Sequence, residues 1–157
     1  MHRTNPNFWR SVITHSLHSL AVETEAPSAL SDFAASPAID VQPATSGQFA
    51  VDAARLLADT RCHQVVVLDV RGASPLTDYL VIASGTSPRQ MKSAADKVSE
   101  LGVTVGYETL NRVTESAQWI VMDFVDVVIH IFSQDARQYY DLDNLCEARR
   151  INWEQPV

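Results

Sequence analysis

Four residues in the second half of the chain have the types and spacing to do chemistry: Trp119, Asp123, Asp126 and His130. They lie within Gln118 to Phe132, read QWIVMDFVDVVIHIF. Two carboxylates and an imidazole are ligand types that several cations accept. The same groups beside an indole could instead form a polar binding face, or merely a solvated turn. Asp-x-x-Asp after a Gly-Ser turn also points toward nucleotide transfer, which needs acidic metal ligands and basic phosphate contacts. The acidic surroundings argue against a triphosphate. A second candidate is Ser84-Gly85-Thr86-Ser87, at a strand-to-helix turn where helix amides could hold a phosphate. It is neither GxGxxG nor GxxxxGK[ST], and a tight turn with an N-cap accounts for it as well. No Ser-His-Asp or Cys-His arrangement is legible without geometry.

The long β-forming run must position the first group. Val, Ile, Phe and Trp favour a half-buried pleated surface, and Asp123-Phe124-Val125-Asp126 interrupts the run near its middle. This reads as a hairpin, strand 118–123 and strand 126–132. With Phe124-Val125 as the loop, Asp123 pairs with Asp126, Val121 with Val128 and Trp119 with His130. Those six share one face, since strand side chains alternate. Ile120, Met122, Val127, Ile129 and Ile131 share the other, which is wholly apolar and predicts core. Opposed carboxylates repel, so a hairpin that keeps them invites a cationic partner or opens to water. A two-residue loop prefers Asn or Gly at positive φ, which Phe-Val does not supply; a longer loop changes the pairing.

Around the hairpin, Thr45-Ser-Gly-Gln48 has the form of a capping box. Phe49, Ala53, Leu56 and Leu57 continue at helical spacing to about Thr60. Gln64 to Val70 and Asp78 to Ser84 read as buried strands. Ser87-Pro88-Arg89-Gln90 supplies an N-cap, a proline at the first helical position and a second capping-box Gln. Met91, Ala94, Ala95 and Val98 form the stripe of that helix, and Gly102 is its expected stop. Val103 to Glu108 reads as a third strand, Thr109 to Ala117 as a polar loop. Ser133 caps a last helix, with Asp135 suited to its positive end. The order α-β-β-α-β-β-β-α predicts an α/β (α+β) domain with a mixed sheet of about five strands and helices packed on it.

Composition bounds the rest. The chain has 157 residues, a net charge of −7 and 46% hydrophobic content, which fits one domain plus a tail. Between Glu108 and Glu147 the acids 108, 115, 123, 126, 135, 141, 143 and 147 face only Arg112 and Arg137. A nucleic-acid footprint is basic, so direct nucleic-acid binding is not expected. A basic protein fits such a surface, although a solubilising surface needs no partner. Cys62 and Cys146 form neither CxxC nor a metal spacing, and a reducing compartment is the default. No apolar run approaches the roughly 18 residues of a membrane span. Residues 1–45 carry Pro6, Pro27, Pro37 and Pro43 among Ser, Ala and Thr and read as a disordered extension. Phe8 to Ala21 has the pattern of a short amphipathic helix with a faint transit-peptide flavour. The domain is expected over 46–150, with 151–157 as a tail.

Thr77-Asp78-Tyr79-Leu80-Val81-Ile82-Ala83-Ser84-Gly85-Thr86-Ser87, then Arg89-Gln90, resembles the TDxxVIxxGTSxRx motif of the ribosomal silencing factor (Iojap) family. Trp119-Ile120-Val121-x-Asp123, Asp126-Val127-Val128-Ile129-His130 and Arg137-x-x-Tyr140-x-Leu142-x-x-Leu145 resemble its second half, so the likeness covers about residues 48–148. It implies a nucleotidyltransferase-like fold without catalysis or cofactor. It implies binding to protein fourteen of the large ribosomal subunit, where the small subunit docks. It further implies that joining is blocked, that translation is thereby repressed and that two copies tend to dimerise. On this resemblance Trp119, Asp123, Phe124, Asp126 and His130 are the partner-binding residues, and no metal is implied. A divergent nucleotidyltransferase-fold enzyme or nucleotide binder is the alternative. Place of action is expected in the cytoplasm, or in a mitochondrion or plastid if the extension is a transit peptide. The chain departs from the pattern at Val125, where the family usually has Gly in the hairpin turn, at Arg112-Val113, where it has Glu-Gly, and at Cys146, where it has Trp.

Overall fold

The computed structural model describes residues 44–144 and 148–154. The elements are α1 (Ser46–Asp59), β1 (His63–Asp69), β2 (Tyr79–Gly85), α2 (Pro88–Thr104), β3 (Asn111–Ser116), β4 (Trp119–Asp123), β5 (Val127–Ser133), α3 (Gln134–Tyr140), a 3-10 turn (Leu142–Asn144) and β6 (Arg149–Ile151). Six strands form one mixed sheet in the order β3-β4-β5-β2-β1-β6. Only β2 and β5 run parallel, with Val81 opposite Ile129 and Ile82 opposite His130; the other neighbours are antiparallel. The expected α+β architecture holds, with a sixth strand added. The boundary expected at residue 150 falls inside β6. Beyond it Ile151 pairs with Val67, and the Trp153 indole donates to the Val65 carbonyl at 3.1 Å. The extension to residue 43, with its candidate helix at Phe8 to Ala21, lies outside the described residues, as does Cys146.

Helices α1 and α2 cover one face of the sheet. Phe49, Ala53, Leu57, Met91, Ala94 and Val98 pack there on Ile120, Met122, Val127, Ile129 and Ile131. That strand set is the apolar face the alternation predicts. Apolar burial of this kind supplies the main stabilisation, about 25 cal/mol for each Å² removed from water. The opposite face carries Leu80, Ile82, Ser84, His130 and Phe132, and α3 lies against it through Arg137 and Tyr140.

The caps form largely as the residue types predict. Thr45 Oγ1 accepts from the Gln48 amide, Ser87 Oγ from Gln90 and Ser133 Oγ from Ala136, each at 3.2 Å. The reciprocal half of each capping box differs. Gln48 Nε2 donates instead to Asp52 Oδ1, at 2.9 Å. Gln90 Oε1 accepts from the Thr86 amide, and its Nε2 donates to the Thr60 carbonyl. Gln90 therefore ties the start of α2 to the end of α1.

The third strand is not at Val103 to Glu108. Helix α2 continues through Gly102 to Thr104, and β3 occupies 111–116, within the stretch that read as a polar loop. Gly102 is not the stop. A Cβ there would run into the Tyr107 carbonyl and the Phe124 ring, so glycine admits a close approach inside the helix. Gly106, at φ 84°, takes the left-handed position past the helix end.

Candidate functional site

The hairpin closes two residues away from the register that a Phe124-Val125 loop would set. Trp119 is opposite Phe132, Val121 opposite His130 and Asp123 opposite Val128. A shift of two keeps every strand residue on its face, so Trp119, Val121, Asp123, Val128 and His130 stay together. Asp126 leaves the strand and enters the turn. The two carboxylates are therefore not a cross-strand pair, and the expected repulsion is absent from the ladder. The turn closes on Val125-Asp126, one position beyond the expected Phe124-Val125, and Val125 adopts φ 73° there, a conformation that β-branched residues rarely take. Asp123 Oδ1 accepts from the Val125 amide at 2.8 Å, and the Phe124 amide donates to the Val127 carbonyl at 2.9 Å. Asp123 thus braces the turn as an Asx acceptor. The Asp126 carbonyl accepts from the Asp78 and Tyr79 amides, which ties the turn to β2.

Exposure separates the five expected binding residues. Asp126 is exposed, and Asp123 is half-buried beside the 55%-exposed Val125. Phe124 is buried on the helix side, edge-on to Phe49 with ring centroids 4.9 Å apart. Trp119 and His130 are buried on the opposite side. The Trp119 indole Nε1–H donates to His130 Nδ1 at 3.2 Å, which leaves the ring proton of the neutral imidazole on Nε2. Trp119 also stacks on Phe132 at 5.0 Å and meets the tilted Tyr140 ring at 4.8 Å. Tyr140 in turn meets the exposed Tyr139 edge-on at 5.0 Å. Burial pulls the His130 pKa down to about 4, with the Arg137 guanidinium contributing. His130 is thus neutral near pH 7, an acceptor rather than a cation.

Sequence reasoning placed Arg137 in a motif without a role, and it did not link Gln64, Ser84 or Asp143 to it. Arg137 Nε and Nη2 donate to both oxygens of Asp143, at 2.6 and 2.8 Å, and Nη2 also donates to the Gln64 carbonyl at 2.9 Å. Its Nη1 reaches the Ser84 hydroxyl at 3.4 Å. Gln64 sits at a bulge of β1 with φ 49°. A nearly buried two-pronged ion pair thus fixes α3 against β2 and β1, behind the Trp119 and His130 rings. No local signal links positions so far apart in the chain.

The Ser84–Ser87 turn has little left for a phosphate. The Thr86, Gln90 and Met91 amides are bonded to Gln90 Oε1, Ser87 Oγ and the Ser87 carbonyl. A Cβ on Gly85 would collide with the Met91 and Gln90 side chains. The turn is a close-packed N-cap. Asp123, Asp126 and His130 do not converge, and among the described residues no group of three His, Cys, Asp or Glu is placed to hold a metal. No helix among them is long and apolar enough to cross a membrane.

Residues 43–156 match the model of the family described as ribosomal silencing factor during starvation. This chain belongs to that family. Among relatives of this silencing-factor domain, it is 35% identical to the ribosomal silencing factor RsfS of Halalkalibacterium halodurans over 100 residues. That match covers 62% of this chain and 82% of the relative. It is 29% identical to the chloroplastic protein Iojap of Arabidopsis thaliana over 110 residues, 69% of this chain and 46% of that one. Among solved structures, the silencing-factor fold is similar to protein CV0518 of Chromobacterium violaceum, with a TM-score of 0.59 at 25% identity, covering 71% of this chain and 91% of that one. A crystal structure from Bacillus halodurans gives a TM-score of 0.55 at 32% identity over 66% and 95% of the two chains.

Proposed function

We propose that this chain represses translation by binding the large ribosomal subunit through its protein fourteen and holding off the small subunit. The observation that carries the reading is the family match over residues 43–156. The geometry supports a docking role for the hairpin end. Asp123 and Asp126 offer carboxylates to a basic partner on a turn braced by backbone and side-chain bonds. Trp119, Phe124 and His130 act from beneath, as the packed support that holds this end rigid. A rigid, pre-ordered surface loses little entropy on binding. No chemical step and no cofactor enters the proposal, and nucleotide binding has no observation in its favour. Self-association into a dimer and action in the cytoplasm, or in an organelle, belong to the same proposal and rest on the family resemblance.

Light scattering of purified subunits tests it. Full-length chain added to large subunits before small subunits should suppress joining at near-stoichiometric amounts. Unimpeded joining at saturating chain, with or without bound factor, overturns the reading.

A further inference from the structure

The sheet edge formed by β1 and β6 departs from the acidic balance of the chain. An open groove of about 450 Å³ is lined there by Asp69, Arg71, Ala73 and Arg149. Arg150 follows on β6, opposite Leu68, while Arg149 lies opposite Asp69. Two guanidinium groups, Arg71 and Arg149, thus flank one carboxylate, with Arg150 next along the edge, and all three are exposed. The carboxylate is already engaged. Arg71 Nε and Nη2 donate to Asp69 Oδ1 and Oδ2 at 2.9 and 2.7 Å. The Arg71 guanidinium carbon also sits 5.1 Å from the Tyr79 ring centroid. The turn that presents Arg71 is set by Gly72 at φ 84°. No carboxylate among the described residues forms an ion pair with Arg149 or Arg150.

This arrangement suits a phosphate oxyanion. A guanidinium has five N–H donors, and the two-pronged bond to Asp69 uses two of them on one edge. Asp69 and Tyr79 hold the plane of Arg71 in place, so its remaining donors are pre-positioned. Arginine, rather than lysine, is the side chain that grips phosphate with two parallel bonds. Successive residues of a strand point to opposite faces. Arg149 therefore lies on the groove side and Arg150 on the other side of the same edge strand. A ligand carrying several phosphates along a flexible backbone can meet both; a single small anion cannot.

We propose that the β1–β6 edge, through Arg71, Arg149 and Arg150, is a binding site for the phosphate backbone of RNA. The site lies across β2 from the β4–β5 hairpin, and the proposal does not rest on the docking of that hairpin. It also revises the expectation, drawn from total charge, that the chain makes no direct nucleic-acid contact.

The test is fluorescence anisotropy of full-length chain with a labelled single-stranded oligouridylate at low salt. Wild type should bind, with log K falling against log salt at a slope of about −2, as for three phosphate contacts on a single strand. Arg149→Gln with Arg150→Gln leaves the backbone pairing of β6 intact. It should weaken binding about tenfold and bring the slope to about −0.7. Arg89→Gln with Lys97→Gln removes the same charge from exposed positions on α2 and should leave binding within about twofold of wild type. Circular dichroism verifies that each variant is folded. Equal loss in both double variants would show a diffuse charge effect and overturn the site. Failure of wild type to bind the oligomer also overturns it, as does saturation by inorganic phosphate alone.

Discussion

The Trp119 indole donates to His130 Nδ1 at 3.2 Å across a diagonal of the hairpin, not across a pair, since Trp119 faces Phe132 and His130 faces Val121. The bond joins two rings that are both buried. Removing the donor strands a buried acceptor, so Trp119→Phe should cost about 1–3 kcal/mol in addition to its packing change. Urea unfolding of the two proteins measures it. A difference within about 0.5 kcal/mol, typical of a neutral surface change, would mean that the bond does not hold the rings.

His130 should make stability depend on pH. Its folded pKa is about 4 against an ordinary value of 6.5. Between those values the unfolded chain binds more protons than the folded chain, so stability rises with pH. The contribution is fully present above about pH 6.5 and is lost as pH falls toward 4, by up to about 3 kcal/mol. The difference between wild type and His130→Leu isolates this from the carboxylates. Parallel stability curves from pH 6.5 to 4.5 would contradict the neutral, buried imidazole.

Arg137 and Asp143 form a nearly buried pair. Asp143→Ala should destabilise by about 3 kcal/mol, because it leaves the guanidinium buried and uncompensated. Arg137→Met with Asp143→Leu should recover much of that loss. Thermal melts of the single and double variants decide the matter. A double variant no more stable than Asp143→Ala would show that packing, not the unpaired charge, dominates.

Val125 carries a left-handed backbone in the turn, at φ 73°. Val125→Gly should stabilise by about 1 kcal/mol, since relief of strain outweighs the added freedom of the unfolded chain. Destabilisation in chemical denaturation would show that the exposed Val125 side chain contributes packing.

Much of this architecture was legible from residue types. Thr45, Ser87 and Ser133 announce three helix starts because a side-chain oxygen before an apolar stripe satisfies orphan amides. The alternation of Ile120, Met122, Val127, Ile129 and Ile131 marks the core face whatever the register. Other features were hidden for physical reasons. The register depends on Val125 taking a conformation its side chain disfavours, held by Asp123 and by the tie from Asp126 to β2. Gly102 looked like a helix stop because its real role, admitting Tyr107 and Phe124, is a tertiary contact. The polar run Asn111 to Ser116 becomes a strand through pairing with β4, which no local propensity reports. The expected site residues divide likewise: alternation set the shared face of Trp119 and His130, whereas burial of Phe124 required the packed helices.

The proposed docking role of the hairpin end is tested most directly by co-sedimentation of Asp123→Asn with Asp126→Asn on large ribosomal subunits across a salt series. Asn keeps an oxygen to accept from the Val125 amide, so the turn and the fold should be preserved. The account predicts weaker co-sedimentation than wild type at low salt, by about tenfold, and a flatter salt dependence, because exposed charge pairs are screened. Binding and inhibition of joining equal to wild type at every salt would contradict it.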